Sequence, residues 1–401
     1  MLSILKKVNE VYKEKNPSLY LKDLRKKKIL LENRKDFLLE LKLPKKIFLN
    51  STLIDIGSGS GQNTLGYDKL GSKCTLVEYD KKSCKYSKNL FLKYAKNKFK
   101  IINSNLFDLK LNKKFDFVVS NGVFHHTHNI KRGLKIACKY LKKDGFLILG
   151  IANTFGFFQR NLQRYIIYKL SKNKNEIIKN SIYLFNNHLK RAIKFGGRTK
   201  EQIIFDSYLN PKIESISIDE INQIFKKFNL ILYSSYNGIK DLENIISPNI
   251  NQYKGIGKLK NKINFKSIYL SELQNFSLSN NKSIKSNLKN FYQLNNLFKS
   301  ISKTFNDRSP YKSDINKSKV LKNIKLLKQK LNENSKVDIL DINHNKIFLK
   351  ELELLIKIIN NRNLNNKNKL TKVKNFLKKS KKILKGLNGS GMNYYVGYKK
   401  I

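Results

Sequence analysis

Cysteine is scarce in this sequence: Cys74, Cys84 and Cys138 form no C-x-x-C pair, and an odd number cannot all pair with one another. That count argues against a disulfide framework and a thiolate zinc site, and it fits a reducing compartment. Long apolar runs are missing as well. The opening Met1-Leu-Ser-Ile-Leu-Lys-Lys7 turns polar at once and no uninterrupted stretch reaches spanning length, so neither a signal peptide nor a transmembrane segment is expected. A soluble, cytoplasmic protein is the expectation. Acidic side chains are few: 29 Asp and Glu stand against 82 Lys and Arg, for a formal charge of +53. A basic surface attracts anionic partners. Here, however, the excess is mostly lysine and runs through helices, loops and termini alike, whereas arginine is the usual residue for bidentate readout of bases and phosphates. A compositional bias is favoured, with a nucleic-acid surface as the alternative.

With 401 residues, 40% of them hydrophobic, the chain can bury one large core or two modest ones. Residues 1–49 place apolar positions at helical spacing beside lysines, as N-terminal helices would. A core follows over 50–153. Thr52-Leu-Ile-Asp-Ile56 is a strand pattern that runs into Gly57-Ser-Gly-Ser-Gly61, with a helix pattern after it through Leu70. Strands are then expected over Cys74–Glu78, Lys100–Asn103, Phe115–Ser120 and Gly145–Gly150, with helices over Lys82–Lys96 and Ile130–Leu141. That alternation implies right-handed crossovers and a mostly parallel, doubly wound α/β sheet covered on both faces.

After Asn153 the alternation stops, and 154–216 reads as a helical lid or substrate segment. Its Arg164, Tyr165, Tyr168 and Tyr183 either line an acceptor pocket or simply pack. A helix starting near Ser217 or Asp219 and the strand Leu230–Ser235 resume the core over 217–238. Residues 239–391 form a Lys- and Asn-rich helical insertion, and 392–401 hold a final strand, taken as antiparallel and the seventh of the sheet. Within the insertion, the basic amphipathic stretch Val373–Leu384 either lies on an anionic surface or turns its apolar side onto the domain.

The strongest chemical signal is Asp55-Ile-Gly57-Ser-Gly59-Ser-Gly61, between a strand and a helix, where glycines let the backbone approach a ligand and helix amides are unpaired. The third glycine falls one position too early for the dinucleotide pattern G-x-G-x-x-G, and no Gly-Lys-Ser or Gly-Lys-Thr closes a phosphate loop. Through Leu53-Ile-Asp-Ile-Gly-Ser-Gly-Ser-Gly-Gln-Asn63 and the order of elements around it, the sequence resembles the class I S-adenosylmethionine-dependent methyltransferases, Rossmann-like in fold. The resemblance covers roughly residues 30–155, with weaker echoes at 206–238 and 391–399. It implies S-adenosyl-L-methionine as cofactor. Gly57, Gly59 and Gly61 would lie against its methionine portion, Asp55 would organise the loop, and Glu78 would accept hydrogen bonds from the ribose, with Asp80 as the rival if the register slips by two.

Where the family usually has an acid that accepts the adenine amino group, this chain has Asn105, with the amide of Leu106 beside it and Asp108 as a second candidate. Asn121 heads the segment Ser120-Asn-Gly-Val-Phe-His-His-Thr127, which would floor the reaction site at the carboxyl edge of the sheet. It lacks both prolines of the Asn-Pro-Pro-aromatic motif frequent in nucleic-acid amino-methyltransferases, and it looks instead like the small-molecule branch. His125 or His126 could be a general base or could close the loop on the cofactor; no third ligand at metal spacing accompanies them, so no metal is expected. Asp206-Ser-Tyr-Leu-Asn-Pro211 resembles a substrate-side segment of bacterial methyltransferases. The expected function is transfer of a methyl group to a small molecule or cell-envelope precursor, by positioning rather than covalent catalysis. RNA methylation through the basic insertion, or cofactor binding without catalysis, are the alternatives.

Overall fold

The computed structural model describes residues 2–16, 27–154, 156–196, 198–236, 342–384 and 392–400, with short pieces between 296 and 329. Seven strands form one sheet: β1 (Thr52–Ile56), β2 (Lys73–Glu78), β3 (Phe99–Asn103), β4 (Phe115–Asn121), β5 (Leu141–Ala152), β6 (Leu230–Tyr236) and β7 (Met392–Lys399). Their spatial order is β3-β2-β1-β4-β5-β7-β6. The first five strands run parallel to one another, while β7 lies antiparallel between β5 and β6. The helices are α1 (Leu2–Glu14), α2 (Lys27–Glu40), α3 (Gln62–Lys69), α4 (Lys81–Tyr94), α5 (Ile130–Lys139), α6 (Phe158–Lys169), α7 (Lys174–Gly196), α8 (Lys200–Ile204), α9 (Ile218–Lys227), α10 (Ile342–Ile359) and α11 (Asn366–Lys379).

The central strands read as near-continuous apolar runs because both faces are covered. Leu53, Phe117, Val119 and Ile148 are buried with α2 residues such as Leu38 on one side, while Ile54, Ile56, Val118 and Leu149 meet α5 and α6 on the other. The chain reverses order between β1 and β4, and this switch point opens a crevice at the carboxyl ends of the strands.

Strand β5 begins at Leu141 rather than at the expected Gly145, because Leu141 pairs with Phe115 across a register shift in β4 and Lys142 bonds Asp116. Most of the segment 239–341 falls outside the described residues. In α10, Leu349, Leu352, Leu355, Ile356 and Ile359 are buried at helical spacing. Helix α11 buries Val373 and packs Phe376 and Leu377 against the same core, leaving Lys367, Lys372, Lys378 and Lys379 exposed, so its apolar side meets the domain.

Candidate active site

The turn after β1 is held from below: the amides of Gly57 and Ser58 both donate to the Val77 carbonyl, at 2.8 and 3.1 Å. Gly57, Gly59 and Gly61 all have positive φ, between 55° and 77°, a region costly for other residues. A Cβ on Gly57 would stand 2.4 Å from a Val123 methyl. The loop thus bends away from the sheet and leaves a cavity above it. Beneath it, the carboxyl of Asp55 is buried and accepts from the Thr64 hydroxyl at 2.5 Å. Burial is the main influence on this acid and outweighs the Thr64 hydrogen bond and the positive charge of Arg34, pushing its pKa up to about 6.

Glu78 ends β2 and reaches across to the same loop. Its Oε2 accepts from the Gly59 amide at 2.8 Å, and its Oε1 from the amides of Tyr79 and Asp80 at 2.8 and 2.9 Å. Burial raises its pKa and these three amides oppose the rise. Asp80 is committed elsewhere. It caps α4 through the Ser83 amide (2.9 Å) and hydroxyl (2.8 Å) and also accepts from Asn16.

The space above the loop has two lobes, about 260 Å³ and about 160 Å³, which share Tyr12, Gly57, Asn121, Gly122 and His126. The smaller lobe is walled by Val77, Glu78, Tyr79, Asn105, Leu106 and Phe107. The larger is walled by Arg34, Asp55, Gly59, His125, Arg198, Asp206 and Tyr394, among others. Of the residues expected at the cofactor, Asp55, Gly57, Gly59, Glu78, Asn105, Leu106 and Asn121 line these lobes. Gly61 does not: it begins α3 with its α-carbon against Leu76 and Ser87, so it serves helix-to-strand packing. Asn105 spends one lone pair of its side-chain oxygen on the Phe107 amide at 3.0 Å, and Asp108 is exposed outside both lobes.

The two histidines differ. His126 Nδ1 is 3.0 Å from both the Lys212 carbonyl and the Asn210 amide nitrogen, and its Nε2 lies 3.4 Å from Asp206, which also pairs with Arg198 at 2.8 Å. Burial works to raise the Asp206 pKa, but Arg198 and His126 overcome it and hold the carboxyl ionised well below the usual carboxylate range. His125 is buried at the cavity wall with its Nδ1 unpartnered among the described residues. Burial, and next the charge of His126, push its pKa well below that of an ordinary histidine, which keeps it neutral.

Arg164, Tyr165, Tyr168 and Tyr183 are not on the cavity wall. Arg164 is buried and donates to the Ser207 and Asn210 carbonyls at 3.0 and 2.8 Å. Tyr168 donates to the Tyr208 carbonyl, Tyr165 accepts from Asn360, and Lys374 stacks on exposed Tyr183. Arg164 and Tyr168 thus fasten the segment that carries Asp206, while Tyr165 and Tyr183 meet residues at α10 and α11. The residues that sequence reasoning missed on the wall are Tyr12, Arg34, Arg198, Met392 and Tyr394, the last donating to Asn121 Oδ1 at 3.1 Å. Asp206 lay within a segment already singled out.

Among the described residues no cluster of His, Cys, Asp and Glu could hold a metal ion, and no helix is long and apolar enough to cross a membrane. No curated protein matches the chain. Among solved structures it is similar to PKMT2 from Rickettsia typhi, with 18% identity and a TM-score of 0.42, covering 61% of this chain and 49% of that one. It is also similar to YcgJ protein from Bacillus subtilis, with 15% identity and a TM-score of 0.31, covering 50% of this chain and 72% of that one. A third is an S-adenosylmethionine-dependent methyltransferase from Clostridium acetobutylicum, with 18% identity and a TM-score of 0.28, covering 39% and 60%. The chain therefore spans about half the length of PKMT2. Residues 54–149, from within β1 to within β5, match the family described as "Methyltransferase domain". That match identifies residues 54–149 as a methyltransferase domain, and the seven-stranded sheet with its switch-point cleft has the Rossmann-like methyltransferase fold.

Proposed function

We propose that this protein is an S-adenosylmethionine-dependent methyltransferase whose acceptor is a small molecule. The observation that carries the reading is the two-lobed cleft, one lobe fitted to a nucleoside and the other to an amino acid with an acceptor beside it. The residues present suit that cofactor on their own chemistry. The loop's positive-φ glycines clear space for a ligand, its Ser58 hydroxyl is buried without a partner among the described residues, and Glu78 keeps one lone pair, on Oε2, for a ribose hydroxyl. Bound there, S-adenosylmethionine supplies a methyl group already activated by its sulfonium.

What remains for the protein is to position, to exclude water and to let a proton leave. Tyr12 from α1 and Met392 and Tyr394 from β7 close the sides of the larger lobe. An acceptor hydroxyl or ammonium loses its proton as it is methylated. His125, neutral and with its Nδ1 unpartnered among the described residues, is placed at the cavity wall to accept a hydrogen bond from the acceptor. Its lowered pKa makes it too weak a base to keep the proton, which passes to solvent. His126, engaged at Nδ1 and facing Asp206 at Nε2, fixes the geometry. A lobe of about 260 Å³ walled by residues of α1, α2, the glycine loop, β4, β5, the Arg198–Asp206 segment and β7 suits a metabolite-sized acceptor better than a polymer.

Calorimetric titration with S-adenosylmethionine and S-adenosylhomocysteine tests the cofactor: micromolar binding is expected, weakened at least about tenfold in Glu78→Ala. Incubation of a cell extract with labelled S-adenosylmethionine tests the acceptor. Label is expected in the low-molecular-mass fraction. Label confined to RNA or protein would overturn the small-molecule reading, and binding of neither cofactor form by folded protein would overturn the methyltransferase itself.

A further inference from the structure

Arg34 comes from α2, twenty residues before the segment that matches the methyltransferase family. Its guanidinium lies 4.6 Å from the centre of the Tyr67 ring and 5.1 Å from that of Phe37. One amino group donates to the Tyr67 hydroxyl at 3.3 Å, the other to the Asn63 side-chain oxygen at 3.1 Å and to the Asn63 carbonyl at 3.3 Å. Every one of these acceptors is neutral, and a guanidinium carries five N–H groups. Arg34 is half-buried and lines the same lobe as Asp55, Gly57 and Gly59. Among the described residues no carboxylate lies within ion-pair distance of it, although its charge is felt at buried Asp55.

A half-buried cation held in place by neutral groups and facing a cavity is a site prepared for an anion. Planar, bidentate donors favour a carboxylate, and the neighbouring Phe37 and Tyr67 rings help hold the fork in place. We propose that Arg34 binds the α-carboxylate at the amino-acid end of the cofactor, so that helix α2 supplies a specificity-determining residue from outside the matched domain. The inference rests on the cofactor reading above. The amino-acid end is zwitterionic, and the lobe presents both complements, the Arg34 guanidinium and the Asp55 carboxyl. Tyr67 and Asn63, both on α3, hold the guanidinium at the end of the loop where the glycines clear space.

The test compares S-adenosylhomocysteine with its decarboxylated analogue, which keeps the ammonium and lacks only the carboxylate, by calorimetry on the full chain. The native protein should bind the intact compound about 10- to 100-fold more tightly, as loss of a charge-assisted pair implies. Arg34→Met should remove most of that difference while holding the analogue within about threefold of its native affinity, and Arg34→Lys should restore part of it. Equal native affinity for the two compounds overturns the assignment without any variant. So does a loss in Arg34→Met that is the same for both compounds, which marks a purely structural role. If the native protein binds neither compound, the cofactor reading fails first and this inference with it.

Discussion

Asp55 holds a buried carboxyl beneath the larger lobe, with the Thr64 hydroxyl as its one hydrogen-bond donor among the described residues. Since its folded pKa of about 6 exceeds the ordinary 3.8, its contribution to stability is complete below about pH 4. That contribution is lost as the pH rises through about 6. Asp55→Asn keeps an acceptor for Thr64 and removes the charge, so the variant should gain stability over the native protein as the pH rises from about 4 to about 7, by up to about 3 kcal/mol. Calorimetric melting at several pH values checks this, and a difference that stays flat across the range would mean that the carboxyl does not titrate there. Much of this local chemistry was legible in the sequence. The glycines and Glu78 sit next to the strands that present them, and a strand end fixes its side chains within a residue or two. Arg34 and the His126–Asp206 contact were not, because their partners lie about 30 and 80 residues away along the chain and only the finished packing brings them together.

Helix α6 shows why an element's face is harder to read than its existence. Its aromatic and basic side chains were candidates for an acceptor pocket, and the amphipathic pattern gave no means of choosing which face meets the cavity. In the fold, Arg164 turns inward to the Ser207 and Asn210 carbonyls, on either side of Tyr208, whose hydroxyl accepts from Arg160 at 3.1 Å. Asp206 is presented to His126 from a π-helical turn over Phe205–Leu209, fastened by these contacts and entered through the capping box of Thr199 and Gln202. Arg164→Met removes both donors and leaves two carbonyls short of partners, which should cost about 1–3 kcal/mol. Chemical denaturation measures that cost. An unchanged midpoint would mean that the turn holds its shape without α6.

At the scale of the whole molecule, the alternation of strands and helices was enough to anticipate the parallel sheet, and the aromatic run at 393–398 its last strand. What pattern alone could not give was the degree to which the site depends on that strand. β7 fills the gap between β5 and β6, pairing with seven residues of one and six of the other, and it brings Met392 and Tyr394 to the cleft. Deleting residues 392–401 should therefore abolish cooperative unfolding and cofactor binding together. Circular dichroism and titration of the truncated chain check this, and a sharp melting transition in it would show that six strands suffice.

β6 and β7 are neighbours in space but are separated along the chain by roughly 150 residues. At about 5–20 residues per second, a ribosome takes on the order of 10–30 s to add that stretch. Throughout that interval the nascent sheet has a one-strand gap, with the backbone of β5 and β6 unpaired along it. Such open edges are where other chains attach, so the yield of folded protein should depend on translation speed and on chaperones at the exit tunnel more than its finished stability would suggest.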